Sequence, residues 1–506
     1  MGGSLIKKWL QGMALDLRSL ALMRMAYALC LLQDLAIRAT DLTAHYTDWG
    51  AQPSYVVTRL AWDPAFFSLH LMQTSREGQA LIFLVTAFAY LCLLVGYRTR
   101  LAGWASWFLL VSLQNRNPLI LDGGDLYLRC LLFWLLFCPL GARWSVDAAR
   151  RPTSEGEPEQ VLHLGTLAYC LQLTFIYGWA CALKKGAEWT VEGTAVHYAM
   201  RLDGIASPPA QWLLQHPDWM RGLNFAVLFF EGLAPILIWI HPITRLLAVL
   251  GLTGMHLGMS AFLHLGAFAW IAASASWGLL PSLFWRRLGP DVPRRANAAP
   301  LGWRWPLPGG DRALPRAPGL YLNILLVFLL LRVGYCNYYW SRHWKVLPRA
   351  PDLRLLRLDQ QWNMFAPRPV SDDGYYVVAA ETADGDWVNG WIAGGPQISW
   401  DKPAHVASEY PNARWRKLMM NVCQSEHQAW RKSLMEYLFS RIRKARALRL
   451  YFVLEKTRPD GNEEPLVVQH LGYYCPRELD TSLAPSAFAS LSSGQEVLNL
   501  ALKEAY

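Results

Sequence analysis

Charged residues are scarce in this sequence, whereas hydrophobic residues are abundant. Asp, Glu, Lys and Arg make up 17% of the 506 residues, and hydrophobic residues make up 53%. Soluble domains usually carry about 25% charged residues. The shortage lies in the first two thirds of the chain, and the residues from about 341 onward have an ordinary soluble composition. The composition therefore argues against a wholly soluble protein and favours a membrane part followed by a soluble part.

Metal-ligand and nucleic-acid patterns are also missing. The nine cysteines include no CxxC pair and no Cys/His ligand spacing, so neither a metal site nor a redox motif is predicted. Only Cys423 and Cys475 fall in the soluble part, where they would form a disulfide in an oxidising compartment or remain core thiols. The net charge is +10, but no basic run is interleaved with aromatic residues, so we expect no nucleic acid partner.

Long apolar runs occupy most of the first 340 residues. A membrane-spanning helix needs about 20 mostly apolar residues, and open sheet edges cannot face lipid. The runs therefore predict helices that cross a lipid bilayer. Nine candidate spans lie near 19–37, 78–96, 101–115, 125–141, 161–183, 219–240, 243–262, 264–284 and 319–338.

Basic residues in the short loops predict the orientation of these spans. Lys7 and Lys8 precede the first run, and Arg98, Arg143 and Arg245 lie in loops that would share its side of the membrane. We therefore expect a cytoplasmic N-terminus. With nine spans, the C-terminal domain would then be extracytoplasmic, and we expect the inner membrane of a bacterium.

The C-terminal part shows both strand and helix patterns. "GYYVVAAETADGDWVNGWI" alternates around the turn "ADGD", and "LRLYFVLEKTRPDGNEEPLVVQHLGYY" is similar around "PDG", so each predicts a hairpin. Residues 411–446 predict one or two helices. The predicted fold is an α-helical polytopic membrane bundle over residues 1–340, with about nine spans, and a C-terminal extracytoplasmic α+β domain over residues 341–506.

Several ionisable residues interrupt the apolar runs. At the bilayer centre each costs a few kcal/mol or more unless it is paired or faces a cavity, so an interior polar site is the default interpretation. The alternative for each is a structural hydrogen bond between helices. These residues are Arg24, Asp34, Arg129, Glu231, His256 and Arg332.

The stretch "FIYGWACALKKGAEW" ends an apolar run on Lys184 and Lys185, in a loop that departs from the basic-inside pattern. In one interpretation the lysines extend from the membrane edge into water. In the other, one amine lies partly out of water beneath Trp189. Desolvation and a neighbouring cation both lower the pKa of an amine, so such a group can act as a base.

Five stretches, in order along the chain, resemble the HTTM family, whose membrane domain is shared with vitamin K-dependent gamma-carboxylase. The first is "SLALMRMAYALCLLQDLAIRA" with "HYTDWGAQP". The second is "QNRNPLILDGGDLYLRCLLFWLLFCPLGARWSVDA", in which Gly124 and Asp125 stand where the carboxylase has a histidine. The others are "ALKKGAEWTVEGTAVHY", "MHLGMSAFLHLGAFAWIAASASWGLLP" and "LRLDQQWNMFAP".

The resemblance implies a chemistry. In the carboxylase the second lysine of a pair deprotonates reduced vitamin K, which reacts with oxygen; a glutamate γ-proton is then removed and carbon dioxide adds. By this pairing Lys185 is the catalytic base, with Lys184 as the second choice, and His256 matches a histidine near the site. We expect the substrate or cofactor pocket to be formed by Trp189, Glu231, Asp125, Arg24 and Asp34.

Two functions remain open at this stage. The first is a lyase that carboxylates a glutamate-containing protein, using a menaquinol-like quinol, oxygen and carbon dioxide and no metal. The second is a non-catalytic HTTM membrane protein that binds a lipid, another hydrophobic ligand or a partner protein. A membrane cavity beside Lys185 that also holds His256 and Glu231 would favour the first.

Overall fold

The computed structural model describes Trp9 and residues 11–61, 63, 66–150, 159–288, 304–307, 310–313, 316–342, 351–391, 397–458 and 465–476. Lys7, Lys8 and the "PDG" turn of the second predicted hairpin lie outside these residues. The described residues form a helical membrane part and a smaller C-terminal region with a sheet.

The α-helices are numbered in chain order. They are α1 (Leu17–Thr40), α2 (Leu42–Tyr46), α3 (Ser54–Ala61), α4 (Leu69–Met72), α5 (Arg76–Val95), α6 (Thr99–Arg116), α7 (Gly123–Leu135), α8 (Val146–Ala149), α9 (Leu164–Leu183), α10 (Ala187–Thr190), α11 (Ala195–Arg201), α12 (Pro208–Leu214), α13 (Pro217–Ile240), α14 (Pro242–Phe262), α15 (Phe268–Ser274), α16 (Ser282–Leu288), α17 (Arg316–Arg342), α18 (Pro351–Leu355), α19 (Ala413–Cys423) and α20 (Arg431–Ser440).

The β-strands are also numbered in chain order. They are β1 (Leu15–Asp16), β2 (Gln160–Val161), β3 (Arg304–Leu307), β4 (Gly310–Ala313), β5 (Asp372–Thr382), β6 (Trp387–Asn389), β7 (Ala445–Lys456) and β8 (Val467–Tyr474). β1 pairs with β2, β3 pairs with β4, and the last four strands form one antiparallel sheet in the order β6-β5-β7-β8.

Polar and glycine residues set the ends of the long apolar helices. The side chain of Asp16 accepts a backbone N–H at the start of α1, and Ser75 does the same for α5. α5 ends at Gly96, whose φ of +70° suits glycine and closes the helix. Asp122 and Asp125 form a reciprocal capping box at the start of α7. Local hydrogen bonds therefore determine where these helices begin and end.

Six helices of the described chain are long and apolar enough to cross a membrane, namely α1, α5, α9, α13, α14 and α17. A seventh span results if the pair from α15 to α16, which bends by 95°, counts as one. The runs predicted at 101–115 and 125–141 form α6 and α7. α7 has only 13 residues, about 20 Å of helix, which is shorter than the roughly 30 Å hydrocarbon core. Length and composition thus support six or seven of the nine predicted spans.

The outer faces of the bundle are apolar. Only about a third or less of the apolar window of α5, α13, α14 and α17 is buried inside the protein. On α5, for example, Leu81, Leu84 and Phe88 are each more than 60% exposed. An exposed apolar surface of this extent marks a contact with lipid or another apolar partner. By contrast, 61% of the window of α1 is buried, so α1 lies inside the bundle.

The C-terminal region combines this sheet with two helices. The "ADGD" turn connects β5 to β6, and β7 pairs with β8, which confirms the strand pairing of both predicted hairpins. The helices predicted in 411–446 are α19 and α20. α20 packs on β7 and β8, while a separate apolar cluster that includes Tyr375, Val377 and Tyr451 covers the opposite face of the sheet.

Candidate functional site

A cavity of about 820 Å³ lies between the membrane helices and the C-terminal region. Its walls come from α9, α11, α13, α14, the first turn of α7, and residues 359–365. Most of the lining side chains are apolar or aromatic, and a few are charged. Small-molecule sites are typically clefts of about 300–1,000 Å³ with this kind of lining. This cavity is therefore the candidate functional site.

Lys184 reaches this cavity from the end of α9. The chain leaves the helix at Lys184, and its Nζ donates a hydrogen bond to Glu231 Oε2 on α13 over 2.7 Å. The two side chains are only 3% and 9% exposed. The same Nζ lies 5.1 Å from the centre of the Trp189 ring. Lys184, Glu231 and Trp189, all expected at the site, thus form one buried group.

Lys185 has a different environment. Its side chain is exposed and does not line the cavity. The family resemblance implies Lys185 as the base and Lys184 as the second choice. In the structure Lys184 lines the cavity and Lys185 does not. The physical reason is the end of α9: the helix stops at Leu183, and the following turn directs the first lysine toward α13 and the second toward the outside.

His256 lies on α14 within the same cavity. Its Nε2 is 3.0 Å from the Tyr177 hydroxyl, and its ring is surrounded by aromatic rings, including those of Tyr127 and Phe268. Nδ1 of His256 is buried and has no hydrogen-bond partner among the described residues. A buried polar atom without a partner is costly. It therefore identifies a place where a ligand atom or a water molecule would be stabilised.

Residues 359–365 of the C-terminal region form one wall of the cavity. Arg129 on α7 donates to the backbone carbonyl oxygens of Arg357 and Asp359, at 3.0 and 2.8 Å. The Gln172 amide on α9 donates to Gln360 Oε1 over 2.7 Å, and the indole of Trp362 donates to the same oxygen. Because all of these partners are buried or partly buried, the segment is held firmly inside the bundle.

The end of this segment and the residues just after it also bind the lysine loop, residues 184–189. The Trp189 indole donates to the carbonyl oxygen of Phe365 over 2.8 Å, and the backbone N–H of Gly186 donates to that of Pro367 over 2.9 Å. Sequence reasoning did not predict Tyr177, Gln360 or Trp362 as site residues. Two features of the sequence could have indicated them. These are Gln172, a polar residue within the apolar run of α9, and the stretch "LRLDQQWNMFAP", which contains Gln360 and Trp362.

Asp34 and Asp125, which were expected at the pocket, lie elsewhere. They form a buried ion network with Arg38 and Arg414. Arg38 bonds to Asp34 Oδ2 at 2.8 Å and to Asp125 Oδ1 at 2.5 Å, and Arg414 of α19 bonds to both carboxylates. The two guanidinium groups use the carboxylate oxygens, so these aspartates join the C-terminal region to the membrane helices instead of lining the cavity.

Arg24 was also expected at the pocket. Arg24 does not reach the cavity, because its guanidinium donates to the backbone carbonyl oxygens of Leu140 and Trp144 at the other end of α7. Cys423 and Cys475 are both free thiols in the structure, which is the second of the two alternatives. The Cys423 thiol contacts the Tyr376 hydroxyl, and burial raises its pKa. Among the described residues, no group of three or more His, Cys, Asp and Glu side chains could hold a metal ion.

These features define a class: a multi-pass helical membrane protein with an internal cavity and a buried lysine–glutamate ion pair. A model of the HTTM domain matches residues 13–281, which is more than half of the 506 residues. The chain therefore belongs to the HTTM domain family, the domain family found in vitamin K-dependent gamma-carboxylase. Searches of the curated proteins and of the solved structures returned no match.

The match covers every helix that lines the cavity except α19, but it ends before residues 359–365. The site thus combines the family's membrane domain with a segment that lies beyond the matched residues.

Proposed function

We propose that this protein binds a lipid-soluble quinol in the cavity and that Lys184 acts as the base in an oxygen-dependent reaction of the gamma-carboxylase type. One observation carries the proposal: Lys184 is buried with Glu231 in a mostly apolar cavity that opens among membrane helices and also contains His256. The products would be a carboxylated glutamate in a protein substrate, the quinone epoxide and water.

The residues of the cavity suit such a ligand. The rings of Tyr127, Phe268 and Trp362 provide flat apolar walls, with ring centres 5.0–5.8 Å apart. The unpartnered His256 Nδ1 and the Lys184–Glu231 pair provide polar contacts for hydroxyl groups. When bound, a menaquinol-like quinol would supply the reducing equivalents for the reaction with oxygen.

In this proposal the ion pair prepares the base. An ammonium group cannot accept a proton, so Lys184 must first transfer one proton to Glu231 over the 2.7 Å hydrogen bond. The resulting neutral amine can then accept a proton from a ligand hydroxyl. Tyr177 fixes the orientation of the His256 ring through their 3.0 Å contact, and His256 would in turn orient that hydroxyl.

A second function is favoured by the same ion pair. A lysine that remains an ammonium bonded to Glu231 joins the end of α9 to α13 and contributes no base. The cavity would then hold a lipid or another hydrophobic ligand without turnover. The two functions share the binding step and differ only in whether the ligand is converted.

For the orientation we propose a cytoplasmic N-terminus, an extracytoplasmic C-terminal domain and the inner membrane of a bacterium. Contacts between the basic loops support this orientation. Asp147 accepts hydrogen bonds from the backbone N–H groups of Arg98 and Thr99, and Arg245 donates to the carbonyl oxygen of Gly12. Several loops with arginines therefore meet beside the start of α1, as the positive-inside rule requires for one membrane face.

The decisive experiment uses the full chain in lipid nanodiscs with reduced menaquinone, oxygen, labelled bicarbonate and a glutamate-containing peptide. Quinone epoxide and labelled peptide are measured for the wild type, Lys184→Ala and the matched control Lys185→Ala. We expect Lys184→Ala to lose at least about 100-fold in rate, the usual contribution of a positioned base, and Lys185→Ala to retain the rate.

Equal rates in Lys184→Ala and the wild type would remove Lys184 from the mechanism. Binding of menaquinone without any conversion by the wild type would favour the non-catalytic function. Binding itself is measured through the tryptophan fluorescence of the cavity, which Trp189 and Trp362 line.

A further inference from the structure

The cavity lining holds three cations and three carboxylates, but these charges are not all paired with one another. Two of the three cavity cations have a carboxylate partner: Lys184 pairs with Glu231 at 2.7 Å, and Arg129 with Asp359 at 3.5 Å. The third cavity carboxylate, Asp122, is 3.5 Å from Arg414. The remaining charged residue in the cavity lining is Lys417.

Lys417 is a half-buried residue of α19 in the C-terminal region. Within the described part of the chain, no carboxylate oxygen lies within 4 Å of its Nζ. Burial lowers the pKa of Lys417, and the nearby Asp122 only partly opposes this effect. An amine that is partly removed from water and has no carboxylate in direct contact is in an unfavourable state, and an anionic ligand would relieve it.

We propose that Lys417 binds the carboxylate group of a second ligand at the end of the cavity formed by the C-terminal region. The inference rests on the proposed function in one respect, since both place their ligands in the same cavity. It adds the residue that recognises the carboxylate and the place of that ligand in the cavity. Neither the ion pair of Lys184 nor any residue already placed in the deprotonation step is involved.

The size of the charge favours a carboxylate over a phosphate. Lys417 supplies one positive charge and three N–H donors, which balance one monoanion. A phosphate monoester carries a charge of about −1.5 to −2 at pH 7, so one lysine would leave part of that charge unbalanced. The arginines nearby have other partners: Arg414 bonds to Asp34 and Asp125, and Arg416 to the carbonyl oxygens of Gly204 and His264. The side chains of Gln361 and Asn363 also line the cavity and offer amide groups to the rest of the ligand.

The carboxylate has two plausible sources, an acidic side chain of a peptide and the head of a fatty acid. The test therefore has two arms, both with the full chain in nanodiscs. In the first arm, equilibrium dialysis compares labelled, terminally blocked Ala-Glu-Ala with Ala-Gln-Ala. In the second, decanoate is compared with decanol. The variants are Lys417→Gln, Lys417→Arg and the control Lys432→Gln, whose side chain on α20 is 78% exposed.

We expect the wild type and Lys432→Gln to bind at least one of the two acids about tenfold or more tightly than its neutral analogue. Lys417→Gln should lose this preference, and Lys417→Arg should retain part of it. The acid that shows the preference identifies the source. An unchanged preference in Lys417→Gln, or no preference for either acid in the wild type, would overturn the inference.

Menaquinone binding is measured in the same samples to separate this inference from the proposed function. Lys417→Gln should bind menaquinone within about twofold of the wild type, which also verifies that the variant is folded. If the wild type shows the acid preference but binds no menaquinone, the proposed function fails and this inference stands. If it binds menaquinone but shows no acid preference, only this inference fails.

Discussion

At the scale of single residues, the pair Lys184 and Lys185 shows how much depends on one backbone turn. Both lysines suit the membrane edge by sequence. In the structure Lys185 is exposed, whereas Lys184 is buried against Glu231. Counting along a sequence cannot separate two neighbours when the helix ends between Leu183 and Lys184. The partner on α13, which is 47 residues away, decides which amine is buried.

His45 is a second residue whose surroundings lead to a prediction. It follows α1, is 1% exposed, and neither ring nitrogen has a hydrogen-bond partner among the described residues. Its ring centre is 4.6 Å from that of Trp415. Burial lowers the pKa of His45 from 6.5 to about 3. The folded protein therefore keeps this imidazole neutral, whereas the unfolded chain binds a proton below its ordinary pKa.

Because the folded pKa is depressed, His45 should reduce stability as the pH falls below about 6.5, by about 2 kcal/mol at pH 5. Replacing it by an aromatic residue that does not titrate should remove this part of the pH dependence. The apparent melting temperature of His45→Phe minus that of the wild type is the measured quantity. We expect this difference to be larger at pH 5 than at pH 7.5. A difference in melting temperature that is the same at pH 7.5 and pH 5 would contradict the prediction.

At the scale of elements, periodicity and length located most of the helices but not their roles. The apolar runs predicted α1, α5, α9, α13, α14 and α17 within a few residues of their observed bounds. α7 was expected to span the membrane, but its 13 residues instead carry a capping box and Arg129 next to the cavity. An apolar run indicates only that a helix is shielded from water. It does not distinguish a helix that is buried in protein from one that is surrounded by lipid.

The segment 359–365 is an element without regular secondary structure, so no pattern predicted its position. It is held by a hydrogen-bond network in which Gln360 accepts from the amide of Gln172 and from the indole of Trp362. Each buried donor that loses its acceptor costs about 1–3 kcal/mol. The segment should therefore depend on this one glutamine.

We predict that Gln360→Ala loosens the segment and the lysine loop attached to it. Hydrogen–deuterium exchange should become about tenfold faster at the backbone N–H groups of Gly186 and Trp189, and menaquinone binding should weaken. The matched control is Gln211→Ala, an exposed glutamine on α12. Equal exchange in the two variants would mean that the network does not hold the segment.

At the scale of the whole molecule, the network of Asp34, Arg38, Asp125 and Arg414 joins two regions that are nearly 380 residues apart in sequence. Its two carboxylates and two guanidinium groups balance, and all four side chains are at most 6% exposed. Arg414 also donates to the carbonyl oxygen of Ile120. A buried network of this kind costs little when it is complete and much when one member is removed.

Arg414→Ala should therefore destabilise the whole protein by about 3–5 kcal/mol, because two buried carboxylates would then share Arg38 alone. Arg414→Lys should recover only part of this loss, since one ammonium group cannot replace a guanidinium that bonds both aspartates. The apparent melting temperature and the rate of proteolytic release of the C-terminal region measure the effect.

The control for this prediction is Arg446→Ala. Arg446 is 65% exposed and lies 3.6 Å from Glu381, and such surface pairs contribute little. If Arg414→Ala and Arg446→Ala behave alike, the network does not connect the two regions.

The sequence by itself determined that this chain is a helical membrane protein with a C-terminal α+β region, and five stretches indicated its family. Those properties follow from composition and local periodicity, which neighbouring residues carry. The tertiary structure decided which charges meet. It placed Lys184 and Glu231 in the cavity, Asp34 and Asp125 in the network with Arg414, and Arg24 among backbone carbonyl groups. An ion pair forms only when residues that are far apart in sequence come close in space, and local sequence patterns do not contain that information.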